Sequence, residues 1–369
     1  MRLAASNIFR STVRRSSLLL LVLLMPVLYG CAQREHEGEY TLTYASPYPP
    51  SHPFSRADIQ WMKFVEDRSA GRLHIRPFWG GSLLSSDQSV IEIRHGVADI
   101  GLITPIYMRG GVHASRAQAG FYGGVRTIED QVAIFKCLEH TFPVFARELH
   151  GLHILALQGG NFPGVLTRSR PVRTLADLRG MRLRTQSESM DVLRQLGADP
   201  VDMPMNEVYS ALAKGVIDGV VAPADALRGM HLAEVGTYFT QLRFSRGSYP
   251  ARAMSDEAWR RLPADLQDIL MQSRPYWERA MMDQIEGALR QGYEFAAQRG
   301  VEIISVTDEE QRRFDAIAGQ SAQHRAQSLQ EYGVDGEGIL REVQHLIRVR
   351  AQGDVLDCGA PATNTQESS

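Results

Sequence analysis

The sequence predicts an α/β protein with two lobes, because strands and helices alternate along the chain in two separate blocks. In residues 177–223, short runs with strand periodicity are each followed by a helical pattern that ends at glycine. Residues 40–103 show the same order of strand, helix, strand, helix and strand. Alternation of this kind builds parallel sheets. Two such blocks therefore predict two sheets with separate cores, which 369 residues are enough to form.

The elements of the first block follow from apolar periodicity and from turn residues. Alternating side chains mark its strands, and apolar residues at three-residue spacing mark its first helix, which follows His52-Pro53. The predicted elements are strands at residues 40–44, 73–78 and 97–103, with helices at residues 53–71 and 90–96 between them.

The second block contains a strand with two arginines on one face. Met181 and Leu183 alternate with Arg182 and Arg184, so the two guanidinium groups are expected to point the same way. An arginine at the carboxyl end of a sheet strand, next to a helix N-terminus, suits the two-pronged binding of a carboxylate or phosphate. Arg184 is therefore the first candidate for anion capture. The alternative is that both arginines form surface ion pairs on a solvated sheet edge.

The remaining elements continue the pattern. Thr185 and Glu188 fit a capping box, which predicts that a helix begins where the strand of Arg184 stops. Residues 256–299 read as helical, with Pro263 suited to a helix start and Pro275 expected to introduce a kink. A helix over residues 264–299 would reach about 50 Å at 1.5 Å per residue, which exceeds the width of one lobe. The other predicted helices are residues 128–149, 207–214, 308–329 and 338–351, and the other strands are residues 151–157, 201–205, 219–223, 242–244 and 249–253.

Composition excludes several classes of protein. The 40 basic and 42 acidic residues give a formal charge of −2, and removal of residues 1–30, which hold four arginines and no acid, would leave −2 − 4 = −6. This is not the balance of a nucleic-acid-binding protein. The chain has no His-Glu-x-x-His, Gly-x-Ser-x-Gly or Cys-x-x-Cys motif, so hydrolase, zinc and thiol-redox chemistry lack a signature. We expect no metal, no cofactor and no catalytic residues.

The N-terminus has the pattern of an export signal. Arg14-Arg15 precedes an apolar stretch at residues 18–24 that is too short to span a bilayer. Leu28-Tyr29-Gly30-Cys31 looks like a lipobox, which predicts a lipoprotein-type signal peptide over residues 1–30, lipidation of Cys31 and a periplasmic protein anchored to a membrane; the alternative is a plain signal peptide. Residues 31–39 would be a tether and residues 352–369 a flexible tail.

Cys137 and Cys358 are the other two cysteines. An exported compartment permits a disulfide between them, which would pin the tail to the body of the protein. Cys137 lies in an apolar helical stretch, so a buried free thiol is an equal alternative.

Several motifs together resemble the DctP-like family of periplasmic solute-binding proteins of TRAP transporters. The resemblance covers nearly the whole chain after the signal and follows the family's order and spacing. The motifs are His52-Pro53, residues 96–101 (GVADIG), residues 171–184 (PVRTLADLRGMRLR), residues 196–198 (LGA), residues 207–212 (EVYSAL) and residues 215–219 (GVIDG).

The family implies a two-lobed periplasmic-binding-protein clamshell with a long helix spanning both lobes. It would close on a small organic acid and deliver it to membrane permease subunits, with Arg184 as the carboxylate-binding residue. The expected domains are residues 40–155 plus 245–270 for lobe I and residues 156–244 plus 271–351 for lobe II.

Comparison with the family pattern also places the other pocket positions. Gly164 falls where many members have a second ligand-facing arginine, so we expect a monocarboxylate with an apolar or aromatic body, since a second buried carboxylate without a partner is costly. Arg246 could supply a second positive charge to the pocket, but we expect it to be a solvated arginine at the surface. The candidate ligand-binding residues beside Arg184 are Met205, Ala222, Tyr107, Thr104, Tyr48, Asn161 and Tyr249.

Two other functions stay open at this point. One is a binding protein that hands its loaded form to a membrane sensor instead of a permease, because the binding chemistry would be the same. The other is an exported enzyme, for which the sequence offers no motif.

Overall fold

The computed structural model of the chain describes residues 38–356 and residue 358. Within them the backbone forms two β-sheets surrounded by helices, and this architecture confirms the predicted fold class. The strands are β1 (Tyr40–Ala45), β2 (Leu73–Phe78), β3 (Ile100–Leu102), β4 (Leu152–Gln158), β5 (Gly164–Thr167), β6 (Arg182–Thr185), β7 (Asp199–Asp202), β8 (Gly219–Ala222), β9 (Tyr238–Thr240), β10 (Tyr249–Ser255) and β11 (Glu302–Ile304).

The α-helices lie between these strands and after them. In chain order they are α1 (Pro53–Arg68), α2 (Ser89–Arg94), α3 (His113–Ala117), α4 (Ile128–Thr141), α5 (Val144–Glu148), α6 (Met190–Gln195), α7 (Met205–Ala213), α8 (Asp225–Gly229), α9 (Asp256–Arg261), α10 (Ala264–Gln272), α11 (Arg274–Gln298), α12 (Asp308–Ser328) and α13 (Gly336–Ala351).

Both sheets are mixed. Sheet I has the strand order β2-β1-β3-β10-β4, and sheet II has the order β11-β9-β5-β8-β6-β7. β1 is parallel to β3, and β6 is parallel to β7 and β8, as the alternation of strands and helices predicts. β10 is antiparallel to β3 and β4, and β5 is antiparallel to β8 and β9. β5 is the strand by which the chain enters sheet II, and β10 is the strand by which it returns to sheet I.

The long helix is shorter than predicted. Ser273 separates α10 from α11, and Pro275 lies in the first turn of α11, where its missing N–H costs nothing, so the residue starts a helix and does not kink one. α11 has 25 residues and is about 37 Å long. It packs against α1 and β4 beside sheet I and against α8 beside sheet II, so it spans both lobes as expected. Gly292 permits this contact, because a Cβ there would lie 2.0 Å from the carbonyl oxygen of Ala224.

The predicted helix cap at Thr185 is wrong. Thr185 ends β6, and its buried hydroxyl has no hydrogen-bond partner among the described residues. A 3₁₀ turn at Ser187–Ser189 precedes α6 instead. A capping box does form earlier, at Thr174, where the Asp177 carboxylate accepts the Thr174 N–H at 2.8 Å. This bonding lowers the pKa of Asp177.

A buried ion pair ties sheet I to its helices. Arg252 Nε in β10 donates to Asp58 Oδ1 in α1 at 2.9 Å, and the two side chains are 1% and 0% exposed. Trp277 Nε1 in α11 donates to the same oxygen at 2.9 Å, and the Tyr44 hydroxyl donates to Asp58 Oδ2 at 2.5 Å. Arg252 also donates to Gln158 Oε1 at 2.6 Å. The charge pair is therefore neutral overall and well hydrogen-bonded, the condition under which such a pair is tolerated in a core.

The structure joins Cys137 to Cys358 by a disulfide, with the Cα atoms 4.6 Å apart. Of the two alternatives that the sequence left open, the disulfide is the one present. Cys137 lies fully buried in α4 within an apolar cluster that includes Leu340 and Val343 of α13. The bond therefore fixes residue 358 to the core beside these two helices.

Other sequence predictions concern residues outside the described part of the chain. They are the signal peptide, Cys31 with most of the tether, and the tail from residue 359. Within the described residues, no helix has both the length and the apolar character that a membrane crossing requires. The assignment of chain segments to lobe I and lobe II stays a prediction.

We predict that Arg252→Met destabilises the protein by about 3–5 kcal/mol, because it leaves the Asp58 carboxylate buried without its cation. The measurement is urea-induced unfolding followed by circular dichroism. Arg182→Met is the matched control. Arg182 pairs with Asp199 at the surface, where the two side chains are 55% and 64% exposed, and a pair of that kind contributes about 0–1 kcal/mol. Equal losses in the two variants would contradict a structural role for the buried pair.

Candidate functional site

A cavity of about 60 Å³ lies between the two sheets, at the carboxyl ends of strands from both. Tyr48 and Tyr107 follow β1 and β3 of sheet I, and Gln186 and Pro223 follow β6 and β8 of sheet II. Ligands of open α/β sheets bind at this edge. One water needs about 10–15 Å³ on the same scale, so the cavity has room for a small organic molecule and not for a polymer.

Arg184 is the central charged group of the cavity. It is fully buried in β6, between the parallel neighbours β7 and β8. Its Nε donates to the Met203 carbonyl at 2.8 Å, and its two terminal nitrogens donate to the Val221 carbonyl at 3.4 Å and to the Tyr107 hydroxyl at 2.9 Å. These bonds use three of the five guanidinium hydrogens, and two remain for a ligand.

Within the described residues, Arg184 has no carboxylate partner at ion-pair distance. Glu188 and Asp202 feel its charge at longer range, and burial raises the pKa of both carboxyls. A buried guanidinium without a counter-charge is costly unless an anion arrives to pair with it. An anion bound in the cavity would supply the missing counter-charge.

Two tyrosine hydroxyls add donors to this surface. The Tyr107 hydroxyl accepts from Arg184 and, at 3.2 Å, from Gln186 Nε2. The Tyr249 hydroxyl accepts from Gln158 Nε2 at 3.0 Å. Because each oxygen is already an acceptor for protein donors, each O–H hydrogen is left to point elsewhere. Both tyrosines line the cavity, and burial raises the pKa of Tyr249, so it keeps its hydrogen.

His52 is a neutral donor. It caps α1, where its Nδ1 accepts the Phe54 N–H at 3.2 Å, so in the neutral ring the hydrogen is on Nε2. Burial, together with the charges of Arg56 and Arg252, lowers the pKa of His52 from 6.5 to about 3. Tyr48 stacks on the ring with centroids 4.2 Å apart. His52 therefore offers the cavity a hydrogen bond without a positive charge.

Asp225 and Arg246 form a second charged region of the lining. The side-chain amide of Asn161 donates to Asp225 Oδ2 at 3.2 Å and to the Ile285 backbone carbonyl at 2.9 Å. The backbone carbonyl of Asn161 accepts a hydrogen bond from Arg246 at 3.2 Å. Burial raises the pKa of Asp225, and Arg246 is the arginine that opposes this by favouring the ionised form. Asp225 Oδ1 is shielded from solvent and has no partner among the described residues.

The other walls of the cavity are apolar. Helices α1, α7 and α11 and strand β8 each contribute side chains to them, so a ligand body without polar groups finds matching contacts. The largest of these side chains are Phe54, Met205, Val221, Met230 and Ile285.

The structure brings together five of the eight predicted ligand-binding residues and separates three from the cavity. Those that line it are Arg184, Met205, Tyr107, Tyr48 and Tyr249. Those that do not are Thr104, Ala222 and Asn161. Contact of any of these residues with a ligand stays a prediction.

The three outlying residues have other surroundings. The Thr104 hydroxyl donates to the Ser86 carbonyl, and its N–H donates to Ser89 Oγ at 2.9 Å, so it belongs to a buried polar cluster of the first lobe. Ala222 belongs to the apolar core of sheet II, because the alternation of a strand turns its neighbours to the cavity instead. Asn161 contacts Asp225 from outside the lining.

Sequence reasoning missed Gln186 and Asp225 and expected Arg246 at the surface. Gln186 directly follows β6, and Asp225 starts the helix after β8. Their position after strands on the same sheet edge as Arg184 is a signal that was present in the sequence. Arg246 is half-buried in the segment that leads back to sheet I, and no pattern around it indicated this.

Three comparisons with known proteins agree with this architecture. A solute-binding protein of Albidiferax ferrireducens is 28% identical over 292 residues, covering 75% of this chain and 80% of that protein. The crystal structure of a TRAP solute-binding protein from Rhodoferax ferrireducens, in complex with copurified benzoate, has a TM-score of 0.78 at 21% identity and covers 85% of this chain and 99% of that one. A marine metagenome TRAP solute-binding protein specific for aromatic acid ligands, with metahydroxyphenylacetate, has a TM-score of 0.76 at 23% identity and covers 84% and 99%.

Two α/β lobes with a cavity between their sheets form the fold that this chain shares with these solute-binding proteins. The family model of the bacterial extracellular solute-binding proteins, family 7 (DctP), matches residues 44–328, which is well over half of the chain. The chain belongs to this family.

We predict that His52 is neutral at about pH 5 in the folded protein, with its hydrogen on Nε2. The ¹⁵N shifts of the ring show this directly by NMR, and His52→Gln assigns the signal. Because the unfolded chain binds a proton at His52 near pH 6.5 and the folded chain does not, acidification from about pH 7 to pH 4 favours the unfolded state. The free energy of unfolding should therefore fall more in the wild type than in His52→Gln. A charged imidazole at pH 5 would refute the assignment.

Proposed function

We propose that this protein is the binding component of a TRAP transporter, which captures a small monocarboxylate with an apolar or aromatic body and delivers it unchanged to the membrane permease. The observation that carries the proposal is Arg184, a fully buried cation with two unused N–H groups and no acidic partner among the described residues. A carboxylate matches this pair of donors with its two oxygens.

The charge of the lining supports one carboxylate and not two. Arg184 and Arg246 contribute +2, Asp225 contributes −1, and His52 is neutral, so the cavity carries 2 − 1 = +1. A monocarboxylate brings this sum to zero. A dicarboxylate would leave one negative charge in a buried site, which is costly.

The rest of the lining supports a compact body of low polarity. Phe54, Met205, Met230 and Ile285 face the cavity, and they have no hydrogen bonds to offer. The similar structures that hold benzoate and metahydroxyphenylacetate show that the same fold accommodates acids of this kind.

We predict that Arg184→Met lowers the affinity for benzoate about 100-fold or more, because two charge-assisted hydrogen bonds are lost. Isothermal titration calorimetry measures the affinity. In a thermal-shift assay, ligand at one hundred times its dissociation constant adds about 2.7 kcal/mol to the wild type and raises its midpoint by several degrees. Arg182→Met is the matched control, since this arginine lies two residues away on the same strand but pairs with Asp199 at the surface.

Three outcomes would contradict the proposal. Unchanged binding in Arg184→Met would show that the anchor is elsewhere. Tight binding of phthalate without binding of benzoate would refute the monocarboxylate. Equal binding of neutral sugars or amines by the wild type and by Arg184→Met would refute an acid ligand altogether.

The proposal places the protein in the periplasm, anchored through a lipid on Cys31. We predict that membranes of expressing cells retain the wild-type protein and that Cys31→Ala releases it to the soluble periplasmic fraction. Mass spectrometry of the mature wild-type protein should show a lipidated N-terminal cysteine. A wild-type chain cleaved elsewhere, with an unmodified Cys31, would refute the anchor and leave the binding function untouched.

A further inference from the structure

We propose that the ligand carries a hydroxyl group away from its carboxylate, and that Asp225 accepts the hydrogen of this hydroxyl. This inference rests on the proposed function, because it adds a second recognised group to the same monocarboxylate. It names the acid as a hydroxy acid and Asp225 as the residue that selects it.

The carrying observation is the unused oxygen of Asp225. Asp225 lines the cavity, and its Oδ1 is shielded from solvent without a hydrogen-bond partner among the described residues. A buried carboxylate oxygen left without a donor is costly, and buried polar atoms are rarely left so. Among the other polar side chains of the lining, Arg184, Tyr107, Tyr249 and His52 offer donors. Asp225 adds a carboxylate acceptor to these donors, and its complement is a donor on the ligand.

The surroundings of Asp225 define which donor fits. Arg246 is close enough to favour the ionised form of Asp225, so an ammonium group would add a second positive charge near an arginine. The net charge of +1 on the cavity lining is likewise neutralised by the ligand carboxylate alone. A neutral hydroxyl donates its hydrogen to Oδ1 and changes neither the charge near Arg246 nor the net charge of the cavity.

Asn161 makes this arrangement testable, because it fixes which atom of residue 225 faces the ligand. Its amide donates to Asp225 Oδ2 and to the Ile285 carbonyl, so it presents only hydrogens at this point. In Asp225→Asn, the oxygen of the new amide is held by Asn161, and the NH₂ group takes the place of Oδ1. The atom offered to the ligand changes from an acceptor to a donor, while the shape of the side chain stays the same.

The experiment compares 3- and 4-hydroxybenzoate with their methoxy counterparts and with benzoate, by calorimetry on the wild type and on Asp225→Asn. A methoxy oxygen accepts hydrogen bonds but donates none. We expect the wild type to bind at least one of the two hydroxybenzoates about tenfold more tightly than its methoxy counterpart, or better. In Asp225→Asn this ratio should fall to about one, because both oxygens accept from the new NH₂; the ratio is read within each variant, since loss of the Asp225 charge changes the affinity for every acid. Asp202→Asn, a carboxyl outside the lining, should keep the wild-type ratio.

The outcomes separate this inference from the proposed function. If benzoate binds through Arg184 but the hydroxy and methoxy acids bind equally to the wild type, or if Asp225→Asn preserves the ratio, the hydroxyl assignment is wrong and the monocarboxylate function stands. If no benzoate binds, the same comparison with 4-hydroxybutanoate and 4-methoxybutanoate decides in the same way. If neither series binds, or Arg184→Met leaves binding unchanged, both proposals fall.

Discussion

The structure around the cavity depends on how Arg184 is kept charged inside the protein. Its guanidinium donates to the carbonyls of Met203 and Val221, which belong to sheet II, and to the Tyr107 hydroxyl, which follows a strand of sheet I. These three hydrogen bonds therefore form together only when the two sheets are adjacent. Under the proposed function, an anion that adds the missing counter-charge would stabilise this arrangement more than an open one. Ligand capture and lobe closure would then be coupled.

Two fully buried arginines show the difference between a structural and a functional charge. Arg252 has its counter-ion in the chain, at Asp58, and the pair holds a sheet and two helices together. Arg184 has no such partner within the described residues. The two sites are connected, since Arg252 donates to Gln158, and Gln158 donates to the Tyr249 hydroxyl in the cavity. The buried pair is thus linked through Gln158 to a hydroxyl that lines the cavity.

The sequence predicted those features that depend on local pattern. The two-sheet α/β fold and the position of Arg184 followed from alternation and from the carboxyl end of a parallel strand. Local pattern did not predict the helix break at Ser273 or the absence of a helix cap at Thr185. At both places the surrounding packing decides between similar local conformations. The sequence left the Cys137–Cys358 disulfide open beside a free thiol, because the bond joins segments 221 residues apart. The half-buried place of Arg246 in the cavity lining did not follow from any local pattern.

Arg184 does not by itself select among acids, because every carboxylate presents the same two oxygens to a guanidinium. Selection must come from groups that meet the rest of the ligand. The apolar side chains, among them Met205 and Ile285, favour a ligand whose body needs no hydrogen bonds. They discriminate only weakly between ligands of similar volume. A buried polar atom discriminates more strongly, since a ligand that fails to pair with it leaves the full desolvation cost unpaid. The unpartnered oxygen of Asp225 is such an atom.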